Sequence, residues 1–197
     1  MDGRRFSIEV HDGPEQVGGV IGEFAMHDRI GGDGADSMLG NAGDNLLAGN
    51  AGADTLNGGA GNDSLDGGTG DDRLIGGDGT DIFDYRLVSG AISFNLAAGT
   101  ASGSDIGTDT LFGIEGASGG QGADDFFGDA GNNLFFGNAG ADTLNGGAGS
   151  DSLFGGAGDD LLIADGLGDH IEAGHGDDVI LLGGTQLADI LALFATS

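Results

Sequence analysis

The feature that most constrains this chain is a period of nine. From Gly31 to Asp84 it runs as six consecutive units without a gap: GGDGADSML, GNAGDNLLA, GNAGADTLN, GGAGNDSLD, GGTGDDRLI and GGDGTDIFD. Each unit has glycine at positions 1 and 4, an acid or its amide at position 6, and a large apolar residue at position 8. Five more follow from Gly119 to Ile163: GGQGADDFF, GDAGNNLFF, GNAGADTLN, GGAGSDSLF and GGAGDDLLI. Two weaker units, ADGLGDHIE from Ala164 and AGHGDDVIL from Ala173, extend the second block, and a lone SDIGTDTLF from Ser104 stands in the interruption. A short repeat cannot bury its apolar side alone, so such a chain must stack its units into a solenoid.

The spacing also predicts what each unit does locally. The last three residues carry one apolar side chain between two neighbours, which suits a very short strand that turns Leu56 or Leu65 inward. The first six make the turn, where glycine admits positive φ and leaves main-chain carbonyls unobstructed. The thirteen residues Gly49 to Gly61 recur unchanged from Gly137 to Gly149, 88 positions on, which suggests that one block arose from the other. Because 88 is not a multiple of nine, the interruption does not hold the phase.

Composition enters as a set of exclusions. Forty-six of 197 residues are glycine, which argues against a conventional layered core. The formal net charge is −28, and the 5 basic residues are all arginines: Arg4, Arg5, Arg29, Arg73 and Arg86. Without lysine there is no phosphate-loop lysine and no Schiff base, and nothing forms a basic stripe for nucleic acid. Without cysteine there is no disulfide framework, no zinc–thiolate site and no thiol nucleophile, so the staple that a glycine-rich chain needs is expected to be a cation. No run of eighteen apolar residues marks a membrane span. The start, MDGRRFSIEVHDG, lacks the apolar run of a conventional cleaved signal peptide.

These units resemble the RTX nonapeptide, G-G-x-G-x-D-x-U-x, of the hemolysin-type calcium-binding repeats, over about two thirds of the chain. The resemblance implies an all-β fold, a right-handed parallel β-roll in which two nonapeptides complete a coil of eighteen residues. Units i and i+2 then stack, and Ca²⁺ lies between their turns. In the family the ion is held by position 6 carboxylates and main-chain carbonyls, an all-oxygen set suited to a hard cation. Carried over by position, the metal ligands are Asp36, Asn45, Asp54, Asp63, Asp72 and Asp81 in the first block. In the second they are Asp124, Asn133, Asp142, Asp151, Asp160, Asp169 and Asp178. Asn45 and Asn133 offer a neutral oxygen where the family prefers a carboxylate, so their sites are expected to be weaker. Leu167 replaces a position 4 glycine, which weakens the case for a site near Asp169. One ion per stacked pair gives roughly eight ions, cancelling about half of the net charge.

Five segments are expected: a cap over residues 1–30, a first β-roll block over 31–84, and an irregular interruption continuing the solenoid over 85–118. A second block covers 119–181, and 182–197 ends the chain. In that last segment TQLADILALFATS places Leu187, Ile190, Leu191 and Phe194 at i, i+3, i+4 and i+7, the pattern of a short amphipathic helix. It reads equally as an end cap of the roll or as the uncleaved signal by which RTX proteins typically leave bacteria through a type I secretion channel. His11, His27, His170 and His175 read as surface residues rather than a metal site.

The resemblance thus implies a secreted, extracellular calcium-binding protein that folds when it meets Ca²⁺ outside the cell. Its expected partners are calcium, the type I secretion machinery and a cell-surface polysaccharide, with no nucleic acid. No catalytic residue is legible: there is no HExxH and no GxSxG, and thirty residues before the repeats leave no room for a catalytic domain, so an enzyme is not expected. The alternative is the carboxy-terminal secretion and folding module of a larger secreted protease, lipase, alginate epimerase or adhesin.

Overall fold

The computed structural model describes residues 28–183. Among them there is no helix; every element is a strand of three to six residues. The fold is a parallel β-solenoid, and it divides into two compact units.

In the first unit the strands alternate between two sheets. One holds Asp28–Ile30, Leu46–Ala48, Ser64–Asp66 and Ile82–Asp84; the other holds Ser37–Leu39, Thr55–Ala60, Arg73–Asp78 and Gly107–Phe112. All pair in parallel with position 8 residues in line: Leu47 opposite Leu65, Leu65 opposite Phe83, Met38 opposite Leu56, and Leu56 opposite Leu74. Those side chains point between the sheets and are buried. The short strand exists because one inward side chain per nonapeptide fills the interior, while the glycine-rich turn lets the chain reverse onto the other sheet.

The second unit repeats the plan. Gly116–Ser118, Leu134–Ala139, Ser152–Ala157 and His170–His175 form one sheet. Ile92–Asn95, Asp125–Phe127, Thr143–Asn145, Leu161–Ala164 and Val179–Leu182 form the other. The core is heavier here: Phe94, Phe126 and Phe135 meet edge to face with centroids 5.6 to 5.8 Å apart. Thr100–Gly103 lies antiparallel on Ile92–Asn95, a departure from the parallel plan.

The interruption is shared between the units. Residues 105–114 belong to the first and 85–104 to the second. Ser93 pairs with Asp125, so Ile92 falls opposite Asp124 and its buried apolar side chain takes the place of a position 6 carboxylate. The segment 1–27, with His11 and His27, and the expected amphipathic helix with Leu187, Ile190, Leu191 and Phe194 lie outside the described residues.

Candidate metal centre

Stacking of turns at an eighteen-residue offset brings the position 6 side chains into files. In the first unit one file runs Asp36, Asp54, Asp72, and the other Asn45, Asp63, Asp81. In the second, Asp124, Asp142 and Asp160 lead to Asp178, and Asn133 and Asp151 lead to Asp169. From Asp36 to Asp160 in chain order these residues are buried; Asp169 and Asp178, at the end of each file, are only half-buried.

Each file is held by the same hydrogen bond. One carboxylate oxygen, Oδ1, accepts the main-chain N–H of the position 6 residue one coil earlier: Asp54 from Asp36 at 2.7 Å, Asp72 from Asp54 at 2.8 Å, Asp63 from Asn45 at 2.7 Å and Asp81 from Asp63 at 2.7 Å. The second unit repeats it, Asp142 from Asp124 at 2.8 Å, Asp160 from Asp142 at 2.9 Å, Asp151 from Asn133 at 2.8 Å, Asp169 from Asp151 at 2.9 Å and Asp178 from Asp160 at 3.0 Å.

A second, exposed file runs in the opposite sense. The position 5 side chains Asp44, Asn62, Asn132 and Asp159 accept the N–H of the residue one coil later. Where position 5 carries a side-chain acceptor the two files clamp neighbouring turns from both sides; Ala35, Ala53, Ala123 and Ala141 stand there in other turns.

With Oδ1 committed, the other oxygen is left over. Oδ2 of Asp54, Asp63, Asp72, Asp142, Asp151 and Asp160 is buried with no hydrogen-bond donor on it. A buried carboxylate oxygen without a donor carries a desolvation penalty that hydrogen bonding does not offset. Burial accordingly pushes the carboxyls of Asp54, Asp63, Asp124, Asp151 and Asp160 above their ordinary value. Burial, reinforced by repulsion from neighbouring carboxylates, takes Asp72 up to about 6 and Asp142 up to about 7.

The position 1 glycines show what these oxygens face. A Cβ at Gly49 would meet both Asp54 Oδ2 and the Gly67 carbonyl oxygen of the next coil. A Cβ at Gly137 would meet Asp142 Oδ2 and lie 2.6 Å from the Gly155 carbonyl. Each cradle thus pairs one carboxylate oxygen with a main-chain carbonyl across two stacked turns. No three His, Asp or Glu side chains gather around one point among the described residues. Any ion here takes few side-chain ligands and completes its shell with carbonyls, chemistry that suits Ca²⁺ and not zinc.

Asn45 and Asn133 stand at the first nonapeptide of their files. Their Oδ1 turns back to accept the N–H of Asn41 at 2.8 Å and of Asp129 at 3.0 Å. Leu167 is exposed, and the Asp151–Asp169 link survives its presence. Asp109, absent from the expected ligand set, is fully buried and continues the Asp72 file: its Oδ1 accepts the Asp72 N–H at 2.9 Å. The lone unit at Ser104 carries the signal for it, since Gly107-Thr108-Asp109 repeats the Gly79-Thr80-Asp81 of the preceding block. His170 and His175 are exposed, and His170 Nε2 lies 2.9 Å from Glu172 Oε1.

A parallel β-roll with a carbonyl and a carboxylate oxygen converging between stacked turns defines a class of calcium-binding repeat protein. The model of the RTX calcium-binding nonapeptide repeat matches residues 30–65, 58–86, 118–153, 136–167 and 154–185, and this chain belongs to that family. No curated protein matches the chain. Calcium binding follows from the family. No helix among the described residues is long and apolar enough to cross a membrane.

Proposed function

We propose that this chain is an exported calcium-binding module whose folding is coupled to Ca²⁺ outside the cell. The observation that carries this reading is the file of buried carboxylates with one oxygen on a main-chain N–H and the other without a donor. Such a file repels itself until a cation occupies it. The ligands in this reading are Asp36, Asp54, Asp63, Asp72, Asp81, Asp124, Asp142, Asp151, Asp160, Asp169 and Asp178 with turn carbonyls, and Asn45 and Asn133 serve through a neutral oxygen. About eight ions would cancel roughly half the charge of the chain. When bound, the ion supplies charge neutralisation and a crosslink between turns; the chain supplies oriented oxygens and a buried apolar rank behind them.

The export half of the reading is supported by the sequence and by family precedent. If a site has a dissociation constant near ~10⁻⁴ M, ~1 mM Ca²⁺ stabilises the fold by about 1.4 kcal/mol per site, and submicromolar cytosolic calcium by almost nothing. A chain with this profile stays open where it is made and closes where calcium is plentiful. Its partners are then the type I secretion machinery, met unfolded, and a cell-surface polysaccharide, met folded.

Limited proteolysis with a non-specific protease tests the coupling. The full chain should be degraded in chelator, and in ~5 mM Ca²⁺ it should leave a protected body spanning the two blocks, a concentration above that expected for extracellular sites. Protection that is the same in both conditions contradicts the reading. Export is tested separately: removing residues 184–197 should abolish release through a type I channel while the purified chain keeps its calcium-dependent protection.

A further inference from the structure

The matched stretches stop at residue 86 and resume at 118, and none assigns a cation to the residues between. The first unit nevertheless takes residues 105–114 into its own stack. Gly107–Phe112 pairs in parallel with Arg73–Asp78, with Thr110 opposite Arg73 and Leu111 opposite Leu74. The turn ahead of that strand lies on the turn 67–72 as one nonapeptide turn lies on the next. Asp109 Oδ1 accepts the Asp72 N–H at 2.9 Å, Asp71 Oδ1 accepts the Thr108 N–H at 2.9 Å, and Gly70 N–H donates to the Ile106 carbonyl at 3.1 Å. The position 6 file therefore continues, with a position 5 link beside it, across a chain offset of 37 residues instead of 18.

That continuation gives Asp72 a following turn. Its Oδ1 is committed to the Asp54 N–H on the side of the preceding turn, and its Oδ2 is buried without a donor. Asp72 is 2% exposed, so water does not reach the leftover oxygen. On the other edge, a Cβ at Gly76 would meet Asp81 Oδ2 and the Gly113 carbonyl oxygen together. A Cβ at Gly49 meets the same pair within the repeats, Asp54 Oδ2 and the Gly67 carbonyl. Gly113 belongs to no nonapeptide. Its φ of 56° lies where glycine is favoured.

We propose that residues 105–113 complete two further calcium sites at the end of the first unit, one facing Asp72 and one joining Asp81 Oδ2 to the Gly113 carbonyl. The inference rests on calcium binding by the repeat turns and extends it to the lone unit of the interruption and the Gly113 that follows it, outside the matched stretches. It follows that the repeats alone undercount the ions: the interruption supplies the last turn on both edges of the unit.

Long-wavelength anomalous diffraction from crystals of the full chain grown in calcium tests it directly. The expected result is calcium peaks beside Asp72 and between Asp81 and Gly113, in addition to peaks along the nonapeptide turns. Peaks at the nonapeptide turns with none at these two places overturn the inference and leave the proposed function standing. No peak anywhere overturns the proposed function itself. In solution, Gly113→Val forces a β-branched residue into the left-handed region and should lower the calcium count by one in native mass spectrometry. An unchanged count contradicts the Asp81 site.

Discussion

At the scale of the residue, position 6 aspartate does two jobs with two oxygens. One is structural, since Oδ1 stitches each turn to the one before it. In the units that begin with glycine, the other oxygen faces a cradle that a Cβ at position 1 would fill. The steric part of this can be separated from backbone strain, because neither Gly137 nor Gly34 has positive φ. Gly137→Ala puts a methyl group into the cradle against Asp142 Oδ2 and the Gly155 carbonyl, whereas Gly34→Ala meets nothing within 4 Å. Titrations followed by far-ultraviolet circular dichroism should show a calcium midpoint raised ~10-fold or more for Gly137→Ala, the equivalent of about 1.4 kcal/mol, and unchanged for Gly34→Ala.

The pH dependence also belongs to single residues. In the metal-free fold burial holds the Asp72 carboxyl up at about 6 and Asp142 at about 7, against an ordinary 3.8. A carboxyl whose folded value is raised binds its proton more tightly when folded. Its stabilisation is therefore full below 3.8 and is lost as pH rises through 6 and 7. In chelator, thermal melts should show more folded structure at about pH 4–5 than at pH 8. With these carboxylates as the proposed ligands the order should reverse in calcium, since protons would compete with the ion for the same oxygens.

At the scale of the element, a strand of three residues has no stability of its own, and one inward side chain must hold it. The aromatic trio Phe94, Phe126 and Phe135 is the densest part of the interior rank in the second unit. Phe126→Ala should cost about 3–5 kcal/mol in thermal denaturation at saturating calcium, while Leu39→Ser, exposed on a sheet face, should stay within about 0.5 kcal/mol.

The inward position was legible from the period of nine, but strand length was not in full: Thr55–Ala60 and Arg73–Asp78 run three residues on into what the spacing assigned to the turn. The place of Asp109 was not legible: its turn follows Asp72 after 37 residues, so no fixed offset in the sequence links the two. The role of Ile92 was hidden for a related reason. Register puts it opposite Asp124, but only the pairing of Ser93 with Asp125 reveals that. Which carboxylate oxygen is spent on the backbone depends on the direction of stacking, and residue spacing carries no record of direction.

At the scale of the whole molecule, charge and glycine oppose folding while stacking favours it. A chain of net charge −28 with 46 glycines loses much conformational entropy on ordering, at about 1–2 kcal/mol per residue. Its apolar gain is limited to one inward side chain per nonapeptide. The solenoid compensates by repetition, each coil adding the same main-chain ladder, the same side-chain clamps and the same oxygen cradle. Because neighbouring coils share each cradle, ion binding at one favours order at the next, and folding should be cooperative in calcium.

Far-ultraviolet circular dichroism of the full chain, titrated from chelator to ~10 mM Ca²⁺ with magnesium as control, tests this account most directly. The predicted result is a cooperative passage from a coil-like to a β-rich spectrum with calcium and none with magnesium, whose tight octahedral shell does not suit a cradle of carbonyls. A spectrum already β-rich in chelator and indifferent to calcium would contradict it, and would mean that packing and the side-chain clamps alone hold the roll.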